Sequence, residues 1–116
     1  MKKLHYILQI RLAKDAVFFG PGVRTLLRLT DEYKSLNEAC KIMNLSYSKA
    51  LKMVKGTEKN LGFKLLDRKI GGLGGGGSSL TPKCIDFLNK YDEFEKELTA
   101  KASEIFDDYF NEFFNS

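Results

Sequence analysis

Six of the seven residues from Gly71 to Gly77 are glycine, preceded by the cations Lys64, Arg68 and Lys69 and followed by Ser78 and Ser79. Bare backbone beside positive charge suits one kind of chemistry, the holding of phosphate. Amides without side chains in the way can approach an oxyanion closely, and lysine and arginine neutralise it. Residue identity separates three uses of such a stretch. A Walker-type nucleotide cradle needs G-x-x-x-x-G-K-[ST], but the best register, Gly71 to Ser78, has Gly77 where a lysine must reach the β and γ phosphates. Gly72, Gly74 and Gly77 fit the dinucleotide pattern G-x-G-x-x-G, as any glycine run does, and no second parallel strand follows to build a βαβ unit. A flexible tether fits the composition but not the flanks, because Leu65-Leu66 and Leu80 read as facing strands. A hairpin laid along a nucleic-acid backbone uses every residue. Its candidate contacts are Arg68, Lys69, Gly74, Gly75 and Ser78.

Other chemistries find no residues to work with. His5 is the single histidine, and no nucleophile, acid and base come together in the pattern, so no catalytic site, metal site or cofactor is expected and the chain does not read as an enzyme. Cys40 and Cys84 sit inside apolar, helix-like stretches and read as reduced core thiols rather than a disulfide. The net charge of +4 conceals a division. Residues 1–83 hold 16 Lys and Arg against 6 Asp and Glu, a net of +10, whereas 84–116 hold 3 against 9, a net of −6. A basic front is the footprint of a polyanion partner, and an acidic end is repelled by that partner. No apolar run approaches the roughly 18 residues of a membrane span. Met1-Lys2-Lys3 is basic like a secretory leader, but His5, Gln9 and Arg11 interrupt the stretch behind it and no small-residue cleavage site follows. The expected location is the cytoplasm, away from membranes.

The elements that must position these residues follow from periodicity. A chain of 116 residues holds one compact domain with one further element. Leu4, Tyr6, Leu8, Ile10 and Leu12 alternate with polar neighbours over Lys3 to Leu12, the period of a half-buried strand. Lys14-Asp15 is a turn, Val17 to Phe19 a second short strand, and Gly20-Pro21-Gly22 a break. From Val23 the spacing becomes helical as far as Lys34, with Arg24 and Arg28 on the outer side. Ser35-Leu36-Asn37-Glu38 is a capping box that opens a short helix with Leu36, Ala39, Cys40 and Met43 on its apolar face and Asn44 as a left-handed cap. Leu45 fills the turn, and Ser46 caps a further helix, Tyr47 to Leu61, which buries Ala50, Val54, Thr57 and Leu61 and stops at Gly62. Two short helices across a tight turn make a helix-turn-helix. A strand over Phe63 to Lys69, the glycines, and Ser79 to Thr81 complete a hairpin, after which Thr81-Pro82 starts a helix running to about Phe113. Its apolar stripe, from Phe87 through Tyr91, Phe94, Leu98 and Ile105 to Phe113, is too long for one small domain to cover and calls for a second copy. The fold class is mainly α with small β: a winged helix-turn-helix with an N-terminal β-hairpin and a long C-terminal dimerisation helix, divided as a DNA-binding domain, 1–83, and a dimerisation helix, 84–116.

The run "SLNEACKIMNLSYSKALKMVKGTEKNLGFKLLDRKIGGLGGGGSSLTP" resembles the winged helix-turn-helix of the molybdate-responsive ModE-type transcriptional regulators, which are LysR-like. The features that carry it are Ser35 to Ala39, "LSYSKA" from Leu45, "LGFKLLDR" from Leu61 and the glycine wing ending in Leu-Thr, and the opening "YILQIRLAKDAVFFGPG" looks like the hairpin of short members. The resemblance implies a homodimer on double-stranded DNA with the third helix in the major groove. It places Ser46, Tyr47, Ser48, Lys49 and Lys52 against DNA, with Lys55 nearer the backbone; on the helical wheel these lie opposite Ala50 and Val54. Three departures qualify it. Nothing from Pro82 to Ser116 matches the family's molybdate-binding domains, so the chain reads as a stand-alone form and molybdate is not expected as a ligand. Gly56 and Thr57 replace a helix former and an apolar residue, which predicts a helix that bends or loosens there. Cys84 stands where the family has glycine, so the resemblance does not set the exit angle of the last helix. The competing reading is a winged-helix protein-interaction module that recruits a partner through its acidic, aromatic final helix.

Overall fold

A computed structural model describes residues 2–69 and 77–114. Among them the order of elements is β1 (Leu12–Ala13), β2 (Val17–Phe19), α1 (Pro21–Tyr33), α2 (Leu36–Met43), α3 (Tyr47–Leu61), β3 (Leu66–Lys69), β4 (Gly77–Leu80) and α4 (Pro82–Phe114). It is a mainly helical chain with a small opening hairpin, a helix-turn-helix, a second hairpin and a long last helix, consistent with the winged helix-turn-helix class read from the sequence.

The alternation of Lys3 to Leu12 does not become a strand. Pairing is confined to Leu12 opposite Phe19 and Ala13 opposite Val17, because β2 is three residues long and runs at once into α1. A strand without a neighbour has nowhere to send its backbone bonds. Residues 6 to 10 lie instead along α4: the Tyr91 hydroxyl donates to the Ile10 carbonyl at 2.7 Å, and the Tyr6 hydroxyl sits 2.6 Å from Ser103 Oγ with its ring 4.9 Å from that of Phe106. The alternation reports a side only in part. Ile10 is buried and Tyr6 and Leu12 half-buried, but Leu4 and Leu8 on the same face are exposed, and Ile7 on the other is 82% exposed.

Helix α1 begins at Pro21, two residues before the periodicity predicts, since proline lacks only an amide that the first turn leaves unbonded anyway. It ends at Lys34, whose φ of 54° is left-handed. Arg24 and Arg28, expected on the outer side, face α4 instead. Arg24 Nη1 lies 3.2 Å from Asp92 and 3.0 Å from Glu95, and Arg28 Nη2 lies 2.8 Å from Asp92. Burial works against the Arg24 charge, but its hydrogen bonds to the two carboxylates outweigh that and raise its pKa. Part of the basic excess of the front half is thus neutralised inside the molecule.

The helix-turn-helix forms where its caps predict. Ser35 Oγ accepts the Glu38 amide at 3.1 Å, Asn44 takes φ 56°, and Ser46 Oγ accepts the Lys49 amide at 3.1 Å. The second arm of the capping box is replaced: the Ser35 amide donates to Thr30 O at 3.2 Å, and the Glu38 carboxylate pairs with Lys41. Helix α3 runs without a break through Gly56, contrary to the expected loosening. Thr57 is fully buried there, with Oγ1 2.8 Å from Met53 O and 3.0 Å from Phe18 O, so the hydroxyl joins α3 to β2.

Strands β3 and β4 pair with Leu66 opposite Leu80 and Arg68 opposite Ser78. Thr81 then caps α4, accepting the Cys84 amide at 3.1 Å and donating to Lys64 O at 2.7 Å. The core gathers Leu26 and Leu27 of α1, Ala39 of α2, Ala50 and Val54 of α3, Leu65 and Leu80 of the second hairpin, and Cys84, Leu88 and Tyr91 of α4. Phe19 closes it against the edges of Phe87 and Tyr91, with ring centroids 4.9 and 4.8 Å away. Burial pushes the Cys84 thiol up to about 12. Helix α4 has 33 residues, about 50 Å at 1.5 Å each, so its far part leaves the core, and Phe94, Leu98, Ile105 and Tyr109 are exposed along it.

Candidate nucleic-acid interface

The side of α3 away from Ala50, Val54 and Thr57 carries the predicted contacts. Ser46, Tyr47, Ser48, Lys49, Lys52 and Lys55 are all exposed. The helical period places them there: burying 50, 54 and 57 on one stripe turns 48, 49, 52 and 55 outward. Among the described residues none forms an ion pair with Lys49, Lys52 or Lys55, whereas Arg24, Arg28, Lys34, Lys41, Lys90 and Lys101 each have a carboxylate partner. The cations of α3 therefore point their charge at solvent.

The second hairpin is placed beside this helix by three contacts. The Ser78 amide donates to Lys34 O at 2.9 Å, at the corner between α1 and α2. Glu58 Oε2 of α3 accepts the Leu65 amide at 2.8 Å. The Arg68 guanidinium stands over the Tyr47 ring, 5.8 Å from its centroid. Two residues read from the sequence as separate contacts thus touch one another, a cation–π pair that joins β3 to the first turn of α3. Arg68 remains exposed. Ser78 is placed differently from the other predicted residues: it is buried, on the same face as Leu80, where its position supports the base of the hairpin. Gly74 and Gly75 lie outside the described residues, as does the side chain of Lys69.

Two grooves flank α3. One, toward β3, is lined by Lys55, Glu58, Lys64, Asp67 and Arg68. The other, toward the opening hairpin, has a volume of about 540 Å³ and is lined by Gln9, Arg11, Gly20, Lys52, Gly56 and Asn60 among others. Sequence reasoning missed the second groove, since Arg11 and Lys52 are far apart in the chain and are brought together by contacts between β2 and α3, the Thr57–Phe18 hydrogen bond among them. Among the described residues no cluster of His, Cys, Asp and Glu could hold a metal ion, and no helix is long and apolar enough to cross a membrane.

Comparison with known proteins gives one relation that bears on this site. Over 96 residues the chain is 33% identical to the transcriptional regulator ModE of Haemophilus influenzae, a stretch covering 83% of this chain. The chain spans 37% of that regulator's length. No family model matches the chain.

Proposed function

We propose that the chain is a DNA-binding transcriptional regulator that acts as a homodimer, with α3 in the major groove and the second hairpin along the phosphate backbone. The observation that carries this reading is the row of exposed cations on α3, unpaired with any described residue, in a chain similar over most of its length to a transcriptional regulator. Lys49, with Ser46, Tyr47 and Ser48, faces the bases, and Lys52 stands on the same DNA-facing side at the edge of the groove toward the opening hairpin. Lys55, Arg68 and Lys69 neutralise phosphates, and the backbone at Gly74 and Gly75 approaches them. Ammonium groups on flexible stems supply reach and charge more than rigid bidentate readout, so phosphate contact carries much of the affinity. The exposed row Phe94, Leu98, Ile105 and Tyr109 of α4 is the dimer surface, and the acids on the same helix keep it away from DNA.

The test is a titration of the full chain against duplexes selected from a random-sequence pool, followed by fluorescence anisotropy between about 50 and 300 mM salt. Six phosphate contacts give a log–log slope of about −5; a flat dependence refutes the reading. Lys49→Ala is expected to weaken binding in a sequence-dependent way and Arg68→Ala about equally on all sequences. Sedimentation equilibrium is expected to give a dimer that Ile105→Glu converts to monomer.

A further inference from the structure

Of the groove on the hairpin side of α3, the function proposed above uses only Lys52, at its edge. An α-helix about 10–12 Å across fills a major groove about 12 Å wide, so the flanks of a recognition helix meet phosphate ridges on both sides. On one flank of α3 stands the second hairpin with Lys64 and Arg68. On the other is the groove walled by the opening hairpin and the start of α1, and its charged lining residues, Arg11 and Lys52, are both cationic and exposed. No described residue that lines it is acidic.

Its floor is also kept clear. Gly56 lies in the middle of α3, where glycine costs about 1 kcal/mol relative to alanine, yet a Cβ built there meets nothing within 4 Å. Packing within the chain therefore does not require glycine at this position. Gly22, on the α1 side, is equally open. The first backbone bond of α1 is Arg24 N to Gly20 O, which leaves the Gly22 and Val23 amides without a partner inside the helix.

From this lining we infer that the groove between the opening hairpin and α3 seats a backbone phosphate of the duplex, held by Arg11 and Lys52, so that DNA is gripped on both flanks of α3. The inference rests on the DNA-binding reading. It gives the opening hairpin a part in binding and accounts for the glycine at position 56, which leaves room for a phosphodiester.

Two variants test it in the full chain, against the same selected duplex and a random-sequence 30-base-pair duplex. Arg11→Ala is expected to weaken binding to both by a similar factor, roughly threefold to tenfold near 100 mM salt, and to reduce the magnitude of the salt slope by about 1 per bound protomer. Gly56→Leu places a side chain in the groove. It is expected to raise the melting temperature, because leucine is a better helix former and the space is open, while lowering affinity for both duplexes. Lys96→Ala, an exposed cation that the helical period sets on the side of α4 away from Phe94, Leu98 and Ile105, serves as the control and is expected to bind as the unaltered chain does. If the unaltered chain binds with a steep salt slope and either Arg11→Ala or Gly56→Leu matches it in affinity, the groove is not occupied and this inference fails while the DNA-binding reading stands. If the unaltered chain shows no salt-dependent binding, both fail.

Discussion

Thr57→Val replaces a hydroxyl with a methyl of nearly the same size at a site with no exposure to solvent. The threonine oxygen lies 2.8 Å from Met53 O and 3.0 Å from Phe18 O, and it has one proton to give. Met53 O is also the acceptor of the Thr57 amide in the helical ladder, so it keeps a partner when the hydroxyl is gone. Phe18 O, in the middle of β2, loses the side-chain donor that α3 supplies. A lost hydrogen bond costs about 1 kcal/mol, a carbonyl left unpaired at the half-buried Phe18 adds toward the lower end of about 1–3 kcal/mol, and a methyl carbon cannot stay within 3.0 Å of two oxygens without moving them. The sum points to a loss of about 2 kcal/mol, which for a domain of this size lowers the melting temperature by about 8 °C. Urea unfolding of the full chain, at one fixed protein concentration because the proposed dimerisation would add a mass-action contribution, is expected to show a lower midpoint at unchanged slope. Thr57→Ser, which keeps the hydroxyl and loses only the methyl, is expected to cost about 1 kcal/mol. A valine variant as stable as the parent, or a serine variant less stable than the valine one, would refute the reasoning.

Two further outcomes follow from burial and backbone geometry. Burial pushes the Cys84 thiol up to about 12 from an ordinary 9.0, so the folded chain holds a proton that the unfolded chain gives up; the resulting stabilisation is complete below about pH 9 and is lost as pH rises from 9 towards 12. Urea midpoints measured from pH 8 to 10.5 are expected to decline less steeply for Cys84→Ala, and equal slopes would contradict this; the raised Tyr91 hydroxyl, also shifted first by burial, leaves a residual decline in both. Gly56→Ala and Gly77→Ala are expected to differ in sign in a thermal melt. The first adds a helix former in open space and stabilises by about 1 kcal/mol, while the second sets a Cβ 3.1 Å from the Lys34 carbonyl oxygen and destabilises by about 1 kcal/mol or more.

What was legible in the sequence was what is decided locally. Ser35, Asn44, Ser46 and Gly62 bound their helices because each satisfies or turns the backbone within four residues of itself, and the exposed row of α3 follows from burying Ala50 and Val54. Features that depend on a distant neighbour were not legible. The alternation from Leu4 to Leu12 marks a side of which Tyr6 and Ile10 are covered and Leu4 and Leu8 are not, and α4 rather than a strand supplies the cover, two cases that period two cannot tell apart. Arg24 and Arg28 are spaced like a solvated face, and only the approach of α4 makes them partners of Asp92 and Glu95. Thr57 looked like a flaw in a helix because the acceptor that suits its hydroxyl, Phe18 O, is 39 residues away. The burial of Ser78 was within reach, since it stands two residues from Leu80 and shares its face. The Arg68–Tyr47 contact was not, as it depends on how the hairpin leans across α3.

The attachment of the second hairpin has a mechanical consequence. Its return strand is pinned to the elbow at Lys34 through the Ser78 amide, while its outgoing strand presses on the opening turn of α3 through Arg68 and Tyr47. The two described strands therefore tie the corner before α2 and the first turn of α3 to one another, so that a displacement of either strand is shared by the beginnings of both helices.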